Sequence, residues 1–373
     1  MAGEVIAYVA LGSNLGSRQK NISKALDAIA SARNINLLRT SSLTESKPLA
    51  DKKQNDYLDC VARIKTNLPP DKLLKTLKKI EASLGRKKTS EKWSSRMIDL
   101  DILLYGKKIV RSKDLIIPHP QMHLRSFVLK GLCEIDSQII HPVLKENIAL
   151  LYSRLKDNNF YIDENRPKLI SVAGVIGAGK TTLAAGLSDV FGYDLIKEAY
   201  DTNPFLPKVY AGQKSFALDS QLYFLVSRCE QLLPENIKAE ISVSDYVMDK
   251  EMIYARLWLD SVQFDLYRKV NEVMVKSVLT PAVVVYLKSQ PNGCLKRIKQ
   301  RSRPYEQDID LNFLENLHSG YEKLFDSFSR CPVIIVDAEN SDFRQRDQVE
   351  ALGKKINYYL SSVTSVSSVA KRK

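Results

Sequence analysis

Cysteine is sparse and scattered. Cys60, Cys133, Cys229, Cys294 and Cys331 lie far apart and form no Cys-x-x-Cys pair, which argues against a disulfide framework or a cysteine zinc site and points to a reducing compartment. Long apolar runs are missing too: those present, such as Ala282–Leu287, have the length of a strand and fall far short of a membrane span. No basic n-region or extended apolar stretch separates Met1 from the strand-like Val5–Leu11. The expectation is a cytoplasmic protein without a membrane partner. No internal repeat at a solenoid period is visible. Although the formal net charge is +13, the basic residues are spread through helix-like segments and form no block. Such an excess suits polyanions, and nucleoside triphosphates meet that description as well as nucleic acid does. A lysine-rich solvated surface accounts for it equally. With neither an aromatic-studded basic patch nor a helix-turn-helix, no nucleic-acid partner is expected.

What is present is a chain of 373 residues, 44% hydrophobic and 27% charged, the profile of a globular protein too long for one core. Leu155–Pro167 (LKDNNFYIDENRP) is rich in Asp, Asn and Glu and ends in proline before a new apolar strand. It predicts two domains, 1–155 and 168–360, with a linker at 156–167 and a flexible tail at 361–373. In the first, Val5–Leu11 and Cys60–Ile64 read as buried strands. Arg18–Ala32 carries Ile22, Ala25, Leu26 and Ile29 at helical spacing, and Leu73–Leu84 repeats that pattern. Met97–Tyr105 alternates apolar and acidic residues. The order predicts an α+β, ferredoxin-like domain with a mostly antiparallel sheet. The second part reads strand, glycine loop, helix, then strands separated by long helices: an α/β P-loop domain with a parallel sheet.

Gly174-Val-Ile-Gly177-Ala-Gly179-Lys180-Thr181 fits G-x-x-x-x-G-K-[ST], between the strand-like KLISVA and a helix. Glycines let backbone N–H groups turn toward phosphate oxygens, and the helix N-terminus adds positive potential. Lys180 is expected on the β and γ phosphates, Thr181 on Mg²⁺, and Thr182 beside the ATP. Downstream come Lys197-Glu198-Ala199-Tyr200, Asn203-Pro-Phe-Leu206, Tyr210, Gln221-Leu-Tyr-Phe-Leu-Val-Ser-Arg228 and Arg297-x-x-x-Arg301-Ser-Arg303-Pro-Tyr-Glu306. With these the chain resembles the deoxynucleoside kinase family over Pro167–Leu360. The resemblance implies that Glu198 is the general base on the 5′-hydroxyl, that Tyr210 and Glu306 touch the 3′-hydroxyl, and that Gln221 and Arg228 meet the base. Arg297 and Arg301, with Arg303, would clamp phosphates. It departs where the family carries an acid followed by Arg-Ser: here stands Ser244-Asp245-Tyr246-Val-Met-Asp249-Lys250. Asp245 keeps the acid for Mg²⁺, Lys250 stands in for the missing arginine charge, and Asp249 becomes the base-reading acid.

In the first part, Asp99-Leu-Asp101 places two carboxylates at i and i+2 on one strand face, with Ile98, Leu100 and Ile102 turned to the core. Paired hard oxygen ligands suit Mg²⁺. Gly85-Arg86 through Trp93, Arg96 and Asp99 sets cations, an aromatic and acids along one loop-to-strand segment. With Ala7-Tyr-Val-Ala-Leu-Gly-Ser-Asn14, Pro48-Leu49, Tyr57-Leu58, Pro118-His119 and Arg125-Ser-Phe127, this stretch resembles 6-hydroxymethyl-7,8-dihydropterin pyrophosphokinase from Val5 to about Leu151. The resemblance implies that Asp99 and Asp101 hold Mg²⁺ bridging ATP phosphates, and that Arg86, Arg96, His119 and Arg125 contact those phosphates. Pro48, Leu49, Tyr57, Asp59 and Phe127 would form the pterin pocket, Tyr57 and Phe127 by stacking. Asp59 stands where the family has an asparagine, and Glu81 is read as structural. A zinc site through His119 and His123 is not expected, because Pro118 and Pro120 deny the helix that would align them.

Together these readings predict two ATP sites using 6-hydroxymethyl-7,8-dihydropterin and a deoxynucleoside, purines favoured; the resemblance to the deoxynucleoside kinases further implies a homodimer formed through the kinase helices. The alternative is that one domain is catalytically inactive and serves as scaffold or regulator.

Overall fold

A computed structural model describes residues 3–48, 54–86, 95–163 and 165–361. The chain forms two compact units, the first running to Ile162 and the second spanning Asp163–Leu360.

The first unit is built on an antiparallel sheet. Its elements are β1 (Val5–Ser13), α1 (Arg18–Ala30), β2 (Ile35–Thr40), β3 (Thr44–Ser46), β4 (Tyr57–Thr66), α2 (Pro70–Ser83), β5 (Asp99–Tyr105), the short pair β6 (Val110–Arg111) and β7 (Ile116–Ile117), α3 (Ser126–Asp136) and α4 (Ile148–Leu155). The order β2-β4-β1-β5, with β3 beside β4, is the ferredoxin-like arrangement. Ile22, Ala25 and Ile29 of α1 and Leu73, Leu77 and Ile80 of α2 pack with Val9, Leu11, Ile64, Leu100 and Ile102 into one core. α1 stops short of the expected Ala32 because the chain turns through Asn34, at φ 69°. β4 outruns the expected Cys60–Ile64: β1 pairs with it from Val5↔Thr66 to Ser13↔Leu58, so ladder hydrogen bonds carry the polar ends into the strand. Part of the segment expected as linker belongs here. Phe160 N–H bonds to the Leu124 carbonyl (2.9 Å) and Ser126 N–H to Asn159 Oδ1 (2.7 Å).

The second unit has β8 (Lys168–Ala173), α5 (Lys180–Phe191), β9 (Asp194–Ile196), α6 (Leu206–Tyr210), α7 (Ala217–Leu232), β10 (Ile241–Ser244), α8 (Glu251–Trp258), α9 (Ser261–Met274), β11 (Val283–Lys288), α10 (Pro291–Arg301), α11 (Leu311–Ser327), β12 (Val333–Asp337) and α12 (Arg346–Leu360). Its sheet is parallel in the order β12-β11-β8-β10-β9. Every residue of β8 is buried, as a central strand covered on both faces requires. The chain leaves β8 for the far edge, returns through β10, then crosses to β11 on the other side. That reversal opens a crevice at the carboxyl end of β8, where open α/β sheets bind ligands. No helix among the described residues is long and apolar enough to cross a membrane.

Candidate active sites

In the first unit three strands converge. Gly12 of β1 is paired with Asp59 on one side and Asp99 on the other, and Ala10 is paired with Asp101. A Cβ at Gly12 would sit 2.8 Å from Asp59 Oδ1, so the glycine makes room for that carboxylate. Ser46 Oγ donates to Asp59 Oδ2 (2.7 Å), and burial pushes the Asp59 carboxyl up to about 7. Asp99 and Asp101 share a face while Ile98, Leu100 and Ile102 are buried behind them, as the alternation requires. Against the cost of its burial, Arg96, Lys78 and Arg86 hold Asp99 well below the usual carboxylate range. Arg86 and Arg96 bond to it directly, and Lys78 Nζ lies 3.7 Å away. Asn14 pins the arginine loop, donating its N–H to the Arg96 carbonyl and accepting the Arg96 N–H at Oδ1 (2.7 Å).

His119 Nε2 stands 4.0 Å from Asp101 Oδ2. Burial and Arg125 lower His119 to about 3, so it is a neutral imidazole at neutral pH. Arg125 donates to Gln121 Oε1 (3.0 Å), and Tyr57 is half-buried beside Gly12. Pro48 and Phe127 are half-buried, Phe127 at the start of α3. Leu49 and Trp93 lie outside the described residues. Glu81 is structural, as expected: buried, it accepts the Leu100 N–H (2.7 Å) and pairs with Lys78 (2.8 Å) and Arg86 (2.5 Å). Lys78 was not foreseen. Its i,i+3 relation to Glu81 was the available signal, but it reaches Asp99 and Asp101 only through the α2–β5 packing.

In the second unit the phosphate loop links β8 to α5. Gly174, Gly177 and Gly179 have φ of 148°, 82° and 96°, and a Cβ at Gly177 would lie 2.7 Å from the Cys294 carbonyl oxygen. Only glycine meets both demands. Lys180 Nζ donates to the Val175 carbonyl (3.0 Å) and Thr181 Oγ1 to Asp245 Oδ2 (2.6 Å). A pocket of about 770 Å³ including its open mouth is lined by Lys180, Thr181, Glu198, Tyr210, Gln221, Arg228, Asp245, Lys250, Arg301, Arg303 and Glu306, with Tyr200, Phe224, Tyr254 and Trp258 among its apolar walls. Glu198 is its acid. Burial raises the Glu198 carboxyl, but Arg228 and Lys250, both bonded to Oε1, overcome this and hold it at about 2. Gln221, 3% exposed, makes no side-chain hydrogen bond among the described residues, which leaves both faces of its amide for a ligand.

Four expectations need revision. Asp249 is not at the pocket: Arg330 holds it (2.9 Å) on the far side of its turn. Arg297 bonds to the Gly177 carbonyl (2.8 Å) and Glu339 (3.0 Å), so it braces the phosphate loop from behind. Thr182 is exposed on α5, one residue past the pocket wall, where helical rotation turns it away. Arg228 does line the pocket, but its guanidinium is taken by Glu198 and by Glu251, which also accepts from Tyr267. Glu251 was missed. Nothing in its sequence surroundings distinguishes it from a surface acid, and only α7–α8 packing gives it a partner.

No group of three or more His, Cys, Asp or Glu side chains that could hold a metal occurs among the described residues. Asp99 with Asp101, and Thr181 with Asp245, are instead pairs of hard oxygen donors. Mg²⁺ fits such pairs, since it takes one or two protein ligands and completes its shell with phosphate and water.

Residues 170–359 match the family model described as Deoxynucleoside kinase, and residues 8–137 that described as 7,8-dihydro-6-hydroxymethylpterin-pyrophosphokinase. Over 138 residues the chain is 46% identical to 2-amino-4-hydroxy-6-hydroxymethyldihydropteridine pyrophosphokinase of Haemophilus influenzae, covering 37% of this chain and 86% of that protein. Over 187 residues it is 33% identical to deoxyguanosine kinase of Bacillus subtilis, covering 48% and 90%. Folic acid synthesis protein fol1 of Pneumocystis carinii is 45% identical over 152 residues, 41% of this chain but only 20% of that longer protein. Among solved structures, deoxyadenosine kinase from M. mycoides with bound dATP aligns with 51% of this chain and 99% of its own at 28% identity, with a TM-score of 0.46.

Proposed function

We propose two separate ATP-dependent transfers for this chain, which belongs both to the deoxynucleoside kinase family and to the 7,8-dihydro-6-hydroxymethylpterin-pyrophosphokinase family. In the first unit the hydroxymethyl oxygen of 6-hydroxymethyl-7,8-dihydropterin attacks the β-phosphorus of ATP. The bond from that phosphorus to the α–β bridging oxygen breaks, the hydroxyl proton passes to solvent, and AMP leaves. In the second unit the 5′-oxygen of a deoxynucleoside attacks the γ-phosphorus, Glu198 takes the hydroxyl proton, and ADP leaves. One feature, present twice, carries the reading: in each unit a set of cations fit for phosphate faces a group fit for the acceptor. In the first these are Arg86, Arg96 and Lys78 around Asp99, with Tyr57 and Asp59 alongside. In the second they are Lys180, Arg301 and Arg303, with Glu198 and Gln221 in the same pocket lining.

Mg²⁺, held by Asp99 and Asp101 in one site and by Thr181 and Asp245 in the other, would neutralise phosphate charge when bound. The protein's own share is positioning. Arg86 and Arg96 deliver charge where it accumulates on transferred phosphate, and neutral His119 offers a donor beside Asp101. Purine deoxynucleosides are the preferred acceptors, because an amide with free donor and acceptor pairs with the adenine edge through N6 and N7. With Asp249 outside the pocket and Arg228 occupied, Gln221 carries that preference. The chain pairs with a second copy through α9, where Val262, Leu266 and Val273 stand exposed at spacings of one helical face.

The test is a panel of deoxyadenosine, deoxyguanosine, deoxycytidine, thymidine and hydroxymethyl-dihydropterin with labelled ATP, scoring AMP and ADP separately. AMP is expected with the pterin only and ADP with deoxynucleosides only. A thymidine kcat/KM at or above both purines would sink the base preference.

A further inference from the structure

We infer that Lys250 is the positioning residue of the phosphoryl-transfer pocket: it clamps one oxygen of Glu198, leaving Oε2 as the atom that meets the acceptor hydroxyl. This rests on the reading of Glu198 as the base and assigns Lys250 and the two carboxylate oxygens their separate parts. Lys250 ends the turn Met248–Lys250 that leads into α8, and its side chain is almost wholly buried. Nζ donates to Glu198 Oε1, the same oxygen that Arg228 takes, while no described residue bonds Oε2. The Glu198 backbone is held too, its N–H donating to Asp245 Oδ1 (2.8 Å). Glu198 is therefore fixed at main chain and at one oxygen, and only the other is open to the pocket.

Charge balance separates the two cations. Arg228 also bonds to buried Glu251, so those two neutralise one another. Lys250 has no other acid among its bonded partners, which makes it the net counter-charge of Glu198. Tyr246, beside Asp245, does not line the pocket: it is fully buried and donates its hydroxyl to Gln231 Oε1 (2.7 Å). The groups facing Lys250 are Glu198 from the segment after β9, Arg228 from α7, Lys180 from α5, and the rings of Tyr246 and Tyr254, 5.9 and 5.4 Å from Nζ. Burial and Arg228 bring Lys250 down to about 7, against the pull of Glu198. Its charge, and with it the clamp, is present below that pH and is lost as pH rises through it. An arginine at this position keeps its charge throughout.

The experiment compares the full chain with Lys250→Met, Lys250→Arg and Glu198→Gln, measuring kcat and KM for deoxyadenosine between pH 6 and 9 (a range chosen to bracket, within about two units, the shifted lysine). Thermal unfolding of each variant serves as the folding control, since pterin pyrophosphorylation belongs to the other compact unit. Lys250→Met should lower kcat roughly tenfold to a hundredfold, with KM for the nucleoside nearly unchanged. The wild type should lose kcat/KM on the alkaline side, and Lys250→Arg should recover most of the rate and remove that loss. Lys250→Met within about twofold of wild type, beside an inactive Glu198→Gln, overturns the role of Lys250 alone. An alkaline loss that persists unchanged in Lys250→Arg overturns it as well, even if the methionine variant does not fold. An active Glu198→Gln overturns the base assignment beneath it.

Discussion

At Asp59 a carboxylic acid occupies a place for which the resemblance implies an amide, and burial supplies the compensation. Held near 7, the group is protonated below that pH and can both donate and accept, as an amide does. Above it, the ionised form only accepts. KM for the pterin should therefore rise between about pH 6 and pH 8, as the raised folded-state pKa is crossed. Asp59→Asn should flatten that profile while keeping the low-pH affinity. A wild-type profile already flat across this range would refute the role. Gly12 tests the same contact by shape. A methyl group there would stand 2.8 Å from Asp59 Oδ1, so Gly12→Ala should raise the pterin KM on the order of tenfold, the cost of a misplaced contact of about 1.4 kcal/mol. Thermal unfolding measured beside it should show little change. The opening motif exposed Gly12 in the sequence, but its reason, a carboxylate on the neighbouring strand, belongs to the β1–β4 register.

At the scale of elements, legibility follows the range of the interactions. The phosphate loop was readable because β8, the glycines and the start of α5 are consecutive in the chain, and left-handed φ values write themselves as glycine. Asp99 and Asp101 were readable because strand alternation is local. Gly177→Ala should abolish ADP formation, since the residue would need a φ of 82° with its Cβ 2.7 Å from a backbone oxygen that cannot swing aside. A variant that keeps even half the wild-type rate, assayed as ADP release with deoxyadenosine, would count against the loop as phosphate cradle. On α10 the same reasoning falls short. Helical spacing puts Arg297 and Arg301 one turn apart, yet Arg297 is drawn to the Gly177 carbonyl and Glu339 while Arg301 reaches Glu306 at the pocket. Those partners come from other elements, and helix periodicity does not see them.

At the scale of the whole molecule the two proposed sets of catalytic groups belong to separate compact units. Asp99→Ala is expected to remove AMP formation from ATP and pterin and to leave ADP formation from deoxynucleoside intact. Lys180→Ala should do the reverse. Loss of both activities from either folded variant would refute independent sites, and the product assay reads both at once. Pairing through α9 has its own check: sedimentation of the wild type should show a dimer that Leu266→Glu dissociates. A monomeric wild type at micromolar concentration would remove the proposal.

The sequence by itself determined the two-part organisation, both sheet classes, the phosphate loop and the paired carboxylates, because each is written in neighbouring residues whose chemistry or periodicity is local. Tertiary structure alone decided which charges meet. It placed Arg228 between Glu198 and Glu251, set Lys250 on Glu198, sent Asp249 to Arg330, and brought Lys78 to Asp99. A charged side chain reads the same in sequence whether it faces water or a buried partner. Burial makes the difference, because in a low-dielectric interior every ion must find its counter-charge, and that partner is chosen by packing.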